Sequence, residues 1–412
     1  MLVRSADSGF AASELLTGIY IVSFSKILFF AVVFFVILLW VGYKEEQPGD
    51  NSFFFVWLLL NLMSSCAIIS SGNLLLLYCA FELFTLSSVF LILTHQNIKH
   101  ALEAGIKFLI LSLVGSAFIL LSLSFVYGIA GTIDIIEISH HLKESSSAHV
   151  LLVLILLSGI ALKLGVVPFH YWFPDVVKVA PIPIAAYFSL IPVSIFVILV
   201  FNTFGIAFSD MLQKLSFFYA LLAVLSLVVG NLFALKQSDI KRLIAYSAIL
   251  QSGFVLLGLA GGVVFDWKVI IYCLAVYLLM HMGLFSLLAA IHKSSFSFKV
   301  SSLNGLAKSS LFLALLALAY LCVFMGIPLS GSFLSRVYLL VSAIKAQWFI
   351  LAGIVFFSWI FSLIIYLKLI KSIFSEPIEG EVVYKINYLL CAVSLICLIC
   401  LVVLGVFPDL VF

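Results

Sequence analysis

Apolar residues run along this chain in blocks of about twenty, long enough to cross a bilayer as helices, with polar residues gathered between them. Twelve blocks stand out: 22–43, 52–71, 73–94, 104–128, 149–172, 181–206, 214–236, 240–263, 268–291, 309–345, 348–373 and 385–407. The pattern predicts an all-α, polytopic transmembrane protein, a single integral membrane domain spanning 1–412.

Two blocks cannot be straight helices. The tenth is too long for one crossing and contains MGIPLSGS (325–332), where Gly and Pro must interrupt the backbone, so it reads as two half-helices in series. The fifth carries Lys163 followed closely by Pro168, and is expected to break there as well. Each break falls in the third member of a five-span unit, 73–236 and 237–407, preceded by N-terminal helices in 1–72. Five is odd, so the second unit would sit inverted relative to the first. Broken helices at matching places in inverted repeats are a transporter pattern.

Composition agrees with a membrane chain: of 412 residues, 65% are hydrophobic and 9% charged. A net charge of +3 with no Lys/Arg-rich tract gives no reason to expect nucleic acid as a partner. The start, MLVRSADSGFAASELLTG, has no early apolar core, and a cleavable signal peptide is not expected. Cys397 and Cys400 form a C-x-x-C inside an apolar run with no second pair, which reads as packing and not as a metal or redox site. No nucleotide loop, flavin fingerprint or cysteine cluster is present in the sequence, so this chain is expected to carry no cofactor or redox centre of its own. The 40 phenylalanines fit a T-rich coding strand, which leans towards a mitochondrial inner membrane, with a bacterial plasma membrane as the alternative.

Charge also orients the spans. Let side A be the side of the N-terminus. The side B loops then hold twelve basic residues (Lys44, Lys99, Lys178, Lys236, Lys241, Arg242, Lys293, Lys299, Lys308, Lys368, Lys371, Lys385) and the side A loops five (Arg4, Lys143, Lys214, Lys268, Lys345). Side B is therefore the inner face. Four basic residues, Lys26, Lys107, Lys163 and Arg336, remain within spans.

Of the eighteen acids only Glu82 lies clearly in mid-span, and Lys163 is the one basic residue similarly placed. An ionisable group at that depth costs roughly 2.5–3.5 kcal/mol on insertion scales, so function is the default reading. Both helices run from side A to side B. Helical rise puts Glu82 ~13 Å in and Lys163 ~20 Å in, a gap a lysine closes if the helices touch. Burial disfavours the charged amine and an adjacent carboxylate favours it, so moving Glu82 would switch Lys163 between holding and releasing a proton. A purely structural ion pair is the competing reading. Against it stands the break after Lys163, whose freed backbone groups could recruit water.

Other candidates are weaker. Lys107 lies four residues after Glu103, so an i,i+4 pair explains it as well as a proton role does. Lys26 is expected to snorkel to side A. Arg336, whose guanidinium keeps its proton, suits a cap on a water-filled exit or a lipid phosphate contact. His281 could relay protons or be a hydrogen-bonded structural group, and His170 is a candidate side B entry group. His140, His141 and His149 belong to a polar side A loop with nothing to complete a metal site.

Several stretches, in order, carry a family resemblance: FELFTLSS (81–88), HALEAGIKFLILS (100–112), FVYGIAGTIDI (125–135), ALKLGVVPFHYWFPDVVKVAPIPIAAY (161–187), GNLFALKQSDIKRLIAYSAILQSGF (230–254) and GIPLSGSFLSRVYLL (326–340). From about 74 to 345 the chain resembles NADH dehydrogenase subunit 2 of respiratory complex I. The resemblance implies fourteen helices in two inverted five-helix repeats, each with a broken helix, and this chain is about two helices short at its N-terminus. It implies proton translocation coupled to electron transfer elsewhere in the complex, through a relay of Glu82, Lys163 and Lys107 with Arg336, His281, His170 and Gln251 as further candidates. NADH, FMN, iron–sulfur clusters and ubiquinone would be bound by other subunits. Expected partners are other membrane-arm subunits, antiporter-like ones included, and lipids. The chain departs from the family at three places: Val193 stands where a central lysine is usual, Arg336 where a second lysine is usual, and Gln251 where a His is frequent. The acid–lysine half of the relay is thus intact while its central and exit groups are altered. A cation/proton antiporter subunit and a structural membrane-arm spacer are the rival readings.

Overall fold

With no water in the bilayer to hydrogen-bond a bare backbone, a long apolar block must satisfy its own amides, and each folds as a helix. The computed structural model describes residues 2–43, 52–94, 98–141, 147–205, 208, 211–260, 267–292, 298–376 and 387–408. In chain order the helices are α1 (Leu2–Gly42), α2 (Ser52–Ser70), α3 (Leu74–Leu93), α4 (Ile98–Ala130), α5 (Ile135–His141), α6 (Ser147–Leu164), α7 (Trp172–Val179) and α8 (Ile182–Leu199). There follow α9 (Leu212–Lys236), α10 (Ile240–Ala260), α11 (Trp267–His292), α12 (Leu311–Met325), α13 (Gly331–Lys345), α14 (Phe349–Phe374) and α15 (Tyr388–Val406). Among the described residues, eleven of these are long and apolar enough to cross a membrane, and α12 is a shorter apolar helix. Together they account for the twelve expected spans, the tenth divided between α12 and α13 and the fifth ending at Leu164.

Three differences from the expected pattern have local causes. Helix α4 starts at Ile98, earlier than its apolar run, and so takes in Glu103 and Lys107. The polar side A stretch that holds His140 and His141 includes a helix, α5, started by Asp134, whose carboxylate accepts from the amides of Ile136 and Glu137. Helix α8 runs on into one π-turn, Val200–Phe204. Lys44, Lys143, Lys293 and Lys385, counted in the charge bias, lie outside the described residues.

The two five-span units open alike. Before α3, Asn73 forms an isolated antiparallel bridge with Asp134, beyond the end of α4, through Leu74 N–H to Ile133 O and Ile135 N–H to Gly72 O, both 3.0 Å. Before α10, Asp239 forms the same bridge with Lys299, beyond α11, through Ile240 N–H to Phe298 O at 2.7 Å and Val300 N–H to Ser238 O at 2.8 Å. Helices α8, α10 and α11 are buried almost all round and form the centre, while α4, α14 and α15 keep broad apolar faces outward.

Candidate functional site

The site is built where α3, α4 and α6 meet. Helix α3 starts with Asn73 as its N-cap, the side chain accepting from Leu75 N–H at 2.8 Å. Farther along, Asn61 of α2 fixes its register, donating to Ser87 Oγ and Ser88 Oγ at 2.8 Å each, while Tyr187 OH of α8 donates to Asn61 Oδ1 at 2.6 Å. One turn back from that clamp, Glu82 and Thr85 face α6.

Helices α4 and α6 approach closely because glycine faces glycine. A Cβ on Gly115 would come within 2.8 Å of Gly159 O and 3.1 Å of Lys163 Cγ, and one on Gly159 within 2.8 Å of Gly115 O. Small residues at a membrane crossing let backbones come together in this way. The contact brings Ser116 and Lys163 to the same place.

Lys163 Nζ lies 3.1 Å from Glu82 Oε1 and donates to Thr85 Oγ1 at 3.0 Å. Ser116 Oγ donates to the same Glu82 oxygen at 2.6 Å. The lysine side chain has no exposure and the glutamate side chain is 28% exposed, so the amine is shut inside while the carboxylate reaches the outer face of α3.

The break behind Lys163 is a Schellman turn. Gly165 takes the left-handed conformation at φ 72°, and Val166 N–H returns to Ala161 O at 3.0 Å. The indole of Trp172 donates to Leu162 O at 3.2 Å. Two of the carbonyls that the break frees, Ala161 O and Leu162 O, are therefore taken by protein donors.

Lys107 is not part of this cluster. It sits about 12 Å up α4 from Gly115, at 1.5 Å rise per residue, with its side chain 47% exposed. It pairs with Glu103 at 2.7 Å, the i,i+4 contact expected, and with Asp175 at 3.3 Å. Arg242 pairs with the other oxygen of Asp175. These charges line a side B cavity of about 500 Å³. His170, the candidate entry group, does not line that cavity but is buried and stacked on Tyr171 with ring centroids 4.9 Å apart.

Arg336 differs most from expectation. It does not reach lipid: it is buried, donating to Met325 O at 2.8 Å and Phe324 O at 2.5 Å. The guanidinium lies 5.0 Å from the Phe254 ring and 5.4 Å from the Trp359 ring. It caps the C-terminus of α12, where cationic groups are favoured. His281 is buried with Nδ1 3.0 Å from Tyr277 O, and its Nε2 has no protein partner. Among the described residues Gln251 Nε2 and Ser247 Oγ are buried with no hydrogen bond of standard geometry, and both lie beside the buried Tyr366 hydroxyl. Ser194, also considered as a water holder, instead bonds Leu190 O of its own helix at 2.8 Å, and Tyr246 stacks on Phe233.

Sequence reasoning missed Thr85, Ser116, Asn61 and the two glycines. The adjacent small pairs Gly115–Ser116 and Ser158–Gly159 inside otherwise bulky helices were the available signal.

Buried charge on broken helices in a two-unit helical bundle defines a class of ion-translocating membrane proteins, and the comparisons narrow it. Residues 71–362 match the family described as NADH:quinone oxidoreductase/Mrp antiporter, TM. NADH-quinone oxidoreductase subunit N of Moorella thermoacetica is 32% identical over 406 residues, covering 97% of this chain and 85% of the relative. The chain belongs to the NADH-quinone oxidoreductase subunit N family. A chain in the structure of respiratory complex I from Thermus thermophilus with bound aureothin superimposes with a TM-score of 0.80 at 25% identity, covering 97% of this chain and 90% of that one. A chain of the Mrp complex from Dietzia sp. DQ12-45-1b shares the fold at a TM-score of 0.81 and 18% identity, covering 97% and 88%.

Proposed function

We propose that this protein is a proton-translocating membrane-arm subunit of a proton-pumping NADH:quinone oxidoreductase, working through the Glu82–Lys163 pair. The single observation that carries the site assignment is the 3.1 Å contact between a fully enclosed amine and a carboxylate that reaches the surface of its helix. With Glu82 in place, Lys163 keeps its proton despite its apolar surroundings. A change in field or position at Glu82 withdraws that support, and the amine gives the proton up. Ser116 and Thr85 hold the two partners in register and offer hydroxyls for the transfer.

The remaining roles follow in the same reading. Lys107, with Glu103 and Asp175, forms the side B mouth, and His170 lies between mouth and core. Gln251 and His281 help to hold water in the second unit, where Arg336 is a fixed charge and not a carrier. Residues 73–236 and 237–407 form the two inverted copies, with 1–72 as N-terminal helices. NADH, FMN, iron–sulfur clusters and quinone belong to other subunits, and neighbouring antiporter-like subunits cover parts of the outer faces. The bacterial sources of the relatives support a bacterial plasma membrane over a mitochondrial inner membrane.

Purification in mild detergent followed by reconstitution tests this. NADH oxidation by quinone should co-purify with the chain and drive proton movement without sodium. Sodium-dependent proton movement from a preparation that oxidises no NADH would instead establish a cation/proton antiporter subunit.

A further inference from the structure

The side B cavity of about 500 Å³ has a charge pattern that proton intake does not need. Among the described residues its wall holds Lys107, Lys178, Lys241 and Arg242 against Glu103 and Asp175, with His100 beside them, four cations to two carboxylates. The carboxylates are engaged on one edge, Asp175 by both Lys107 and Arg242 and Glu103 by Lys107. Lys178 is exposed at the C-terminal turn of α7, and Lys241 is held at the mouth by donating to Ala180 O at 2.8 Å, 4.0 Å over the Phe298 ring. Among the described residues Arg242 Nε has no hydrogen-bond partner.

The cavity also has a definite level. It lies between the start of α4, the end of α7 and the start of α10, all at side B, the face that the charge bias makes the inner one. Basic pockets between helix ends on that face suit anionic headgroups. Several cationic side chains lining one space suit a phosphate, which accepts from more than one donor at once.

We propose that this cavity is a binding site for a phosphate-bearing anion, the headgroup phosphate of an anionic lipid or a free phosphate group, held by Lys178, Lys241 and Arg242. The site does not depend on the proton reading: it would stand if Lys163 carried no proton, and proton transfer at Lys163 would stand if the cavity bound no anion.

The test uses the purified, delipidated complex and photoactivatable phosphatidylglycerol, with cross-links mapped by peptide sequencing. Phosphatidylcholine is the lipid control and inorganic phosphate the competitor. Phosphatidylglycerol should label the segments around 98–107, 175–180 and 239–242. Lys178→Gln should weaken labelling about fivefold, the effect of one basic residue at a membrane surface, and Lys178→Arg should keep it. Assembly yield and NADH oxidation, unchanged in both variants, show that the complex is intact. If phosphate does not compete, the ligand is the lipid headgroup, and if it does, free phosphate is a ligand in its own right. Equal labelling by phosphatidylcholine, with no phosphate binding, would overturn the proposal, as would Lys178→Gln labelling like the parent.

Discussion

At Gly165 and again at Gly326 a helix ends in a left-handed glycine, with an amide returning to the carbonyl five residues before it: Val166 to Ala161 at 3.0 Å, Ile327 to Cys322 at 3.3 Å. Each end is also bonded by an indole, Trp172 to Leu162 O and Trp359 to Met325 O. What stands beside the turn differs. Two residues before Gly165 is Lys163, aimed at a carboxylate on α3. Two residues before Gly326 is Phe324, and the nearby cation is Arg336, brought from the following half-helix to bond the carbonyls of Phe324 and Met325. The same backbone device thus supports an amine paired with a carboxylate in one unit, and a guanidinium that serves as a helix cap in the other. A helix break does not make a proton site. The proposed proton role rests instead on a titratable group beside a counter-charge, Lys163 beside Glu82.

That contrast can be broken experimentally. The largest effect is expected at Lys163→Met, which removes the amine that faces Glu82: proton movement per NADH oxidised should drop, while NADH oxidation by detergent-solubilised complex continues. Gly115→Leu comes next, because its side chain would run into Gly159 O and Lys163 and force α4 from α6. Reduced assembly yield together with impaired pumping is expected, read from membrane content and the proton ratio. Arg336→Met should act on stability before transport. Losing two charge-assisted bonds to buried carbonyls costs about 3 kcal/mol, visible as a lower thermal inactivation temperature, and Arg336→Lys should recover part of it. Lys107→Ala should matter least, since exposed pairs are worth under about 1 kcal/mol. Pumping should stay close to that of the parent, with at most a modest loss at low ionic strength.

Much of this arrangement was legible in the residues. The apolar blocks fixed the span count because a bilayer leaves the backbone few options. Glu82 and Lys163 stood out because charge in mid-span is costly, and the structure brings them into contact. Arg336 was misjudged because its charge was visible but its acceptors were not: helix carbonyls carry no sequence signature. Lys107 and Asp175 meet across 68 positions through the placing of α7 after the break, which no local pattern encodes. Ser116 and Thr85 were hidden because a hydroxyl in an apolar helix usually bonds its own backbone, as Thr85 does here with Phe81 O.

The central claim is that the carboxylate of Glu82 governs the proton on Lys163. Its most direct measurement is the number of protons moved per NADH oxidised by reconstituted complex carrying Glu82→Gln, with Glu82→Asp alongside. The account predicts a lowered ratio for Gln at normal assembly, with Asp retaining part of the function. An unchanged ratio for Glu82→Gln would contradict it.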